Sequence, residues 1–426
     1  MKINFIEELA WRGLLQDVMP GLEALLEKEL VTGYIGFDPT ADSLHIGHLA
    51  QIFTLMHFQK AGHKPIALIG GATGMVGDPS GKSAERNLLA EEDLFKNVAG
   101  IKKQLEFFLD FKSGEFGAEL VNNYDWMKEY SFLNFIRDIG KHLTVSYMIA
   151  KDSVKNRLEN GMSFTEFSYQ LLQGYDFYYL FKNKNCKLQM GGSDQWGNIT
   201  SGTEIIRRKA NSEAFGLITQ LIKKADGTKF GKTESGTIWL DKTKTSPYKF
   251  YQFWINTSDV DAKNFIKIFT FLSKNTIEEL IMDHDKDPGK RVLQKALSKE
   301  ITTTVHGQAN YLSAIETSSI LFNGNISDLF NLNEDTFLDV FDGVPQFNLN
   351  RKELEKEINV LDFLVEKTSI MPSKSEAKKL ILGGGISINK GKTESHEYNI
   401  SSAHLINNKY ILIQKGKRNY YLCIVN

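Results

Sequence analysis

Along the first half of the chain, short apolar runs rich in β-branched and aromatic residues alternate with stretches of helical length. Val31–Phe37 (VTGYIGF) has the length and composition of a buried strand, and the polar string DPTADS after it reads as a turn. His45–Gly62 then has helical length and stops at a glycine. Lys64–Gly71 is a second strand run, Glu92–Phe111 a second helix, and AELVNN, KLQMGG and FGLITQLI supply further strands with helical stretches between them. Strands alternating with helices predict an α/β fold with a doubly wound parallel sheet covered on both faces. In such a sheet the ligand sits beyond the carboxyl ends of the strands.

The pattern changes after Thr245. Pro247 to about Phe322 reads as mostly helix, Asn323–Asn350 is poorly periodic and carries Gly324, Gly343 and Pro345, and a small mixed segment begins near Leu354. These shifts predict domains at 1–245, 246–325 and 354–426, with 326–353 as a linker.

Composition narrows the class. With 42% hydrophobic and 24% charged residues the chain is globular, not disordered. No run of about 18 apolar residues occurs, and the N-terminus lacks a basic-then-apolar leader, so neither a membrane span nor a secretory signal is expected. Cys186 and Cys423 are the only cysteines, which excludes a disulfide framework and a Cys-rich zinc site and fits a reducing, cytoplasmic setting. Charge is unevenly spread: Ile358–Asn426 holds ten Lys/Arg against five Asp/Glu, leaving an acidic body before it. A basic tail suits an anionic partner, and equally an ordinary solvated surface.

Five constellations carry candidate chemistry. In DPTADSLHIGH, His45 and His48 stand three apart at a strand-to-helix turn, where free backbone N–H groups and the helix dipole favour a phosphate; Gly47 between them permits close approach of a ligand. In GTKFGKT, Lys229 and Lys232 with Thr233 form either a cationic clamp for a triphosphate or a solvated loop. GGATGMVGDPSGKS is not a Walker loop, because Gly77 and Gly81 enclose three residues, not four, and Val76 stands where the first glycine belongs. It reads as a glycine-rich site loop offering Asp78 and also Lys82 and Arg86. Tyr169, Gln173 and Asp176 share one helical stripe that faces either solvent or a polar pocket, with Gly174 beside it leaving room for a ligand. In QMGGSDQW, Gly192 and Asp194 form a strand-end turn suited to ribose hydroxyls, or Asp194 simply favours the helix start.

In this order and spacing, HIGH, GGSDQWGN and KFGKT resemble the class I aminoacyl-tRNA synthetases. Tyr34, DPTADSLHIGH, GDPSGK, the Tyr169–Gln173–Asp176 stripe and KFGKT resemble the bacterial-type tyrosyl-tRNA synthetases over nearly the full chain. Met371–Lys392 is similar to a small RNA-binding domain shared with a ribosomal protein. The resemblance implies a Rossmann-like catalytic domain at 1–245, a helical anticodon-binding domain at 246–325 and a C-terminal RNA-binding domain at 354–426. It implies ATP as substrate with Mg2+, no tightly bound cofactor and no protein-held metal. The implied partners are L-tyrosine, its tRNA and a second copy of the chain. His45 and His48 would act at the α-phosphate, and Lys229, Lys232 and Thr233, helped by Lys82 and Arg86, at the leaving pyrophosphate. Tyr34 and Asp176 would bind the substrate phenol. Asp78, Tyr169 and Gln173 would hold the ammonium group, and Gly192 and Asp194 the ribose. Gly36, Asp38, Thr40, Gly47, Asn123 and Gln195 would line the site.

The family's lysine loop reads KMSKS; here Phe230 and Gly231 stand in its middle and Thr233 at its end. Ile35 cannot donate a side-chain hydrogen bond to a ribose. A tryptophan enzyme of the same class, and a catalytically inactive RNA-binding relative, are the competing readings. Trp126–Leu143 is aromatic-rich, as suits either an interface or a core.

Overall fold

The computed structural model describes residues 3–80, 89–151, 154–155, 161–228, 230–233, 236–323, 334–341, 344–416 and 419–426. The chain divides into two compact units, Met1–Thr245 with Trp254–Val305, and Ser246–Phe253 with His306–Asn426.

The first unit is built on a six-stranded sheet of order β1-β6-β5-β2-β3-β4. Its strands are β1 (Leu15–Val18), β2 (Thr32–Phe37), β3 (Lys64–Ile69), β4 (Glu119–Asn122), β5 (Cys186–Gly192) and β6 (Phe215–Thr219). Strands β2 to β6 are parallel, as the sequence pattern predicts; β1, which that pattern did not mark, adds antiparallel to β6 at the edge. The chain runs from β2 outward through β3 to β4 and resumes with β5 on the other side of β2. The strand order therefore reverses between β2 and β5, where a crevice opens at the strands' carboxyl ends.

Helix α1 (Phe5–Trp11) precedes the sheet. The expected helix from His45 begins as a short 3-10 turn, Ile46–His48, and continues as α2 (Leu49–Lys60), ending before Gly62 at φ +86°. Helix α3 (Glu91–Phe108) matches the expected second helix to within three residues. Helices α4 (Phe164–Lys184) and α5 (Trp196–Ala210) pack closely on one sheet face. A Cβ on Gly174 of α4 would lie 2.8 Å from Ile205 of α5, and one on Gly202 of α5 2.8 Å from Phe177 of α4. Gly174 thus serves helix packing, not ligand space as the sequence reading had it. Behind β2 and β3, Tyr34, Ile66, Leu68, Phe177, Leu180 and Ile205 form the core.

Helices α6 (Asp259–Ile268), α7 (Lys274–Lys286) and α8 (Val292–His306) follow the sheet. Arg12, 3% exposed, donates to the carbonyls of Lys267, Thr270 and Leu272 at 2.6, 2.7 and 2.9 Å and pairs with Glu8 at 2.7 Å. Those carbonyls lie where α6 ends and would otherwise want for donors.

In the second unit, β9 (Gln346–Leu349), β11 (Ile386–Ile388), β12 (Gly391–Lys392), β14 (Tyr410–Lys415) and β15 (Asn419–Val425) form a sheet of order β12-β11-β14-β15-β9. Strands β10 (Ile358–Asn359) and β13 (Asn399–Ile400) pair separately. The boundaries differ from those the sequence pattern suggests. The expected linker contributes β9, which pairs in parallel with β15, and the helix Glu334–Val340, whose Phe337 packs with Phe341 against Tyr410 and Leu422. The expected helical domain at 246–325 is divided, with 254–305 joining the sheet unit. No helix among the described residues is long and apolar enough to cross a membrane.

Arg12→Ala strands three carbonyls at the end of α6 and is expected to destabilise the chain by about 3 kcal/mol. Urea unfolding followed by tryptophan fluorescence measures this; a change within about 0.5 kcal/mol would show the clamp to be incidental.

Candidate active site

At the crevice between β2 and β5 lies a cavity of about 410 Å³. It brings together most of the residues singled out from sequence: Tyr34, Gly36, Asp38, Thr40, Gly47, His48, Asp78, Tyr169, Gln173, Asp176, Gly192, Asp194 and Gln195. The Tyr169–Gln173–Asp176 stripe of α4 therefore faces a pocket, not solvent.

Its deepest part is a polar niche. Asp176 is 1% exposed; its Oδ1 accepts from Trp126 Nε1 at 2.9 Å and its Oδ2 from Asn123 Nδ2 at 2.8 Å. Asn123 thus stands behind the cavity and not on its wall. Burial pushes the Asp176 carboxyl up to about 7, against the pull of those two bonds and with help from the charge of Asp38. On β2, Tyr34 is equally buried and its hydroxyl has no partner among the described residues. Burial, and then the charge of Asp176, hold that phenol well above its usual pKa, so it remains a neutral donor. A buried unpaired hydroxyl costs about 1–3 kcal/mol. A ligand hydroxyl accepting from Tyr34 and donating to Asp176 removes that cost.

The middle of the cavity is anionic. Asp38 accepts from Thr73 Oγ1 at 2.8 Å and from Tyr169 Oη at 3.0 Å. Asp78 accepts from Gln195 Nε2 at 2.8 Å and the Ser80 N–H at 2.9 Å. Gln195 Oε1 in turn takes a long bond from Gln173 Nε2 at 3.4 Å, and the Gln173 carbonyl is left unpaired. Four aspartates line the cavity, and no Lys or Arg does among the described residues. Such a site attracts an ammonium group and repels a triphosphate unless cations are brought to it.

His48 and Gly47 form the opposite wall, with His45 behind them. His45 caps the 3-10 turn: its Nδ1 accepts from the Gly47 N–H at 3.0 Å, while the His45 N–H donates to His48 Nδ1 at 3.1 Å. Each Nδ1 is thus an acceptor, so each ring carries its proton on Nε2. Burial, with His45 adjacent, pushes His48 down to about 3, so it is neutral at pH 7. His45 does not itself line the cavity; its ring lies 4.0 Å from that of His48. A Cβ at Gly47 would come within 2.7 Å of the His45 ring, and one at Gly192 within 2.6 Å of Asp194 Oδ1.

The loop after β6 returns to this wall. Gly231, at φ +93°, lies against Ile46 and Gly47, and Ile46 N–H bonds to Ile238 O at 3.0 Å. Lys232 and Thr233 form β7, paired with Gly236–Thr237 as β8. The side chains of Lys232 and Thr233, and Lys229, Lys82 and Arg86, lie outside the described residues.

Several lining residues were not found from sequence: Leu68, Thr73, Ser80, Gln189 and Leu221, with Trp126 behind Asp176. Gln51 also lines the cavity. Its Nε2 donates to Thr219 Oγ1 at 2.8 Å, and that hydroxyl donates onward to Gly191 O at 3.2 Å. This chain leaves Gln51 Oε1 as an unpaired acceptor at the wall. The only sequence hint for Ser80 and Gln189 was proximity to the glycine turns; for Trp126 there was none.

A doubly wound sheet with paired histidines at its first helix and a glycine-hinged lysine loop beside them defines a class I aminoacyl-tRNA synthetase. Residues 27–323 match the family model of class I tRNA synthetases (W and Y), and residues 336–423 match the SYY-like C-terminal domain of tyrosine–tRNA ligases. The chain is 60% identical to the tyrosine–tRNA ligase of Bacteroides thetaiotaomicron, covering 99% of this chain and all of the relative. It is 59% identical to that of Cytophaga hutchinsonii at the same coverage. A C-terminally truncated mitochondrial tyrosyl-tRNA synthetase of Aspergillus nidulans superimposes with a TM-score of 0.68 at 32% identity, covering 75% of this chain and 94% of that one. A Plasmodium falciparum tryptophanyl-tRNA synthetase shares the fold at 15% identity and a TM-score of 0.51, covering 79% of this chain and 88% of that one. The chain belongs to the tyrosine–tRNA ligase family.

Tyr34→Phe and Asp176→Ala remove one partner each from the niche. Both are expected to lower the preference for tyrosine over phenylalanine, in kcat/KM of activation, by at least about tenfold. Equal discrimination in wild type and both variants would remove the niche from specificity.

Proposed function

We propose that this chain activates L-tyrosine with ATP and then transfers the tyrosyl group to the 3′ end of its tRNA. The observation that carries the choice of amino acid is the unpaired Tyr34 hydroxyl beside the buried Asp176. A phenol is the side chain that satisfies both at once. An indole N–H would serve Asp176 and leave Tyr34 unpaired; phenylalanine would serve neither.

In the first step a carboxylate oxygen of tyrosine attacks the α-phosphorus of ATP. The bond from that phosphorus to the bridging oxygen breaks, and pyrophosphate leaves. The carboxylate is already a nucleophile at neutral pH, so no general base is required. Asp78, Tyr169 and Gln173 hold the ammonium group and so aim the carboxylate. The Nε2–H groups of His48 and His45 donate to phosphate oxygens as neutral dipoles. Gly192 and Asp194 receive the ribose. Lys229, Lys232 and Thr233, with Lys82 and Arg86, take the charge that builds on pyrophosphate. Mg2+ bound with ATP would supply positive charge to offset a cavity lined by four aspartates. In the second step a terminal ribose hydroxyl of the tRNA attacks the tyrosyl carbonyl, and AMP leaves.

The helical segment within 246–325 is read as the anticodon-binding part and the C-terminal segment from 354 as an RNA-binding part, which gives its basic excess an anionic partner. A homodimer is supported by exposed apolar Phe132, Leu133 and Ile136 in the region marked from sequence, with exposed Val145 and Ile149 just beyond it; Trp126, Phe135 and Ile139 of that region are core.

Amino-acid-dependent exchange of labelled pyrophosphate into ATP tests the reading. Exchange is expected with tyrosine and with no other natural amino acid. Exchange with tryptophan alone would favour the tryptophan enzyme, and none at all an inactive relative.

A further inference from the structure

The two signature segments, the histidine turn and the lysine loop, reach the cavity from distant parts of the sequence. Gly231 lies against Ile46 and Gly47, and Ile46 N–H bonds to Ile238 O just past the loop; a second connection lies beneath. Phe230, flanked in the loop by Lys229 and Gly231, stacks on Phe269 with ring centres 5.3 Å apart and an interplanar angle of 9°. It also meets Phe265 at 5.0 Å and Trp254 at 5.9 Å. Phe53, five residues past His48 on α2, meets the same Phe269 edge-on at 6.0 Å and 80°. Phe53 and Phe269 are fully buried.

Phe269 is therefore one ring touched both by the lysine loop and by the helix that continues from the histidine turn. It is itself held in place. It follows the last residue of α6, and Arg12 grips the carbonyls of Lys267, Thr270 and Leu272 on either side of it. Phe271, two residues on, stacks on Phe53 at 5.0 Å, so the same turn engages α2 twice. Aromatic rings packed at this density move as a unit, since displacing one opens a void beside the others.

We propose that Phe269 is a positioning residue for amino-acid activation: it sets the distance between the histidine-bearing helix and the lysine-bearing loop through Phe53 and Phe230. The inference rests on the reading that the loop's lysines act on the leaving pyrophosphate. Its effect falls on the transition state, where the cations must meet developing charge, and not on the tyrosine niche, which Phe269 does not line.

The test is a double-mutant cycle in the full-length chain with Phe53→Leu and Phe230→Leu, repeated on a Phe269→Leu background. Pyrophosphate exchange is measured per active site, with sites counted by the burst of adenylate formation, so that loss of folded protein does not enter kcat. Each single variant is expected to lower kcat about tenfold with the KM for tyrosine unchanged, and the pair to lose about tenfold, not about a hundredfold. On the Phe269→Leu background neither further change is expected to matter. Additive losses in both backgrounds, or a fall in active-site count with kcat intact, would overturn the proposal and leave the three rings as ordinary core. Lys232→Ala serves as the separate check: if it leaves exchange undiminished, the reading of the loop fails, whereas a large loss there with an additive cycle rejects Phe269 alone.

Discussion

A buried carboxylate with no cation against it among the described residues is the constraint around which the site is arranged. Asp176 is held by the indole N–H of Trp126 and the amide of Asn123, both neutral, and burial raises its pKa to about 7. An arginine in their place would pin the charge and satisfy it permanently. Two neutral donors leave the carboxylate with unspent acceptor capacity, aimed at the space beside the unpaired Tyr34 hydroxyl. The elements around it serve that placement: α4 carries Asp176, β2 carries Tyr34, and the short helix Tyr124–Met127 after β4, with its N-cap, carries Trp126 and Asn123. Two glycines that seat α4 against α5 hold the helix where it must be.

The same cavity poses an electrostatic problem that the fold resolves by division of labour. Four aspartates suit an ammonium group and would expel a triphosphate. The histidine turn contributes donors without charge, because each imidazole binds backbone through Nδ1 and presents Nε2–H. Among the described residues no Lys or Arg lines the wall, and the loop that carries Phe230 and Gly231 is attached beside it through glycine and aromatic contacts.

Much of this was legible in the sequence where the signal is local. Strand and helix alternation located β2 to β6, and the spacing of Tyr169, Gln173 and Asp176 put three side chains on one face of α4. What was hidden depends on residues far apart in the chain. Trp126 and Asp176 are fifty positions apart and share no periodicity, so nothing marks their hydrogen bond. Gly174 looked like ligand space because a sequence cannot say that Ile205 fills it. The stretch 326–353 has little apolar period, yet Phe337 and Phe341 at i and i+4 suffice to dock a helix, and β9 is recognised only by its pairing with β15. The unpaired acceptor of Gln51 at the cavity wall emerges only once Thr219 fixes which way its amide points.

The pH dependence of tyrosine binding tests the central claim most directly. The ionised Asp176 is a stronger acceptor for the phenol proton than its neutral acid, so affinity weakens as pH falls through about 7. Calorimetric titration with L-tyrosine is therefore expected to show Kd rising about tenfold from pH 8 to pH 6 in wild type and staying level over that range in Asp176→Asn. His48, already neutral throughout this window, contributes nothing to the change. A wild-type Kd constant from pH 8 to pH 6, or the same rise in Asp176→Asn, would contradict the account of a buried, cation-free carboxylate as the receptor of the phenol.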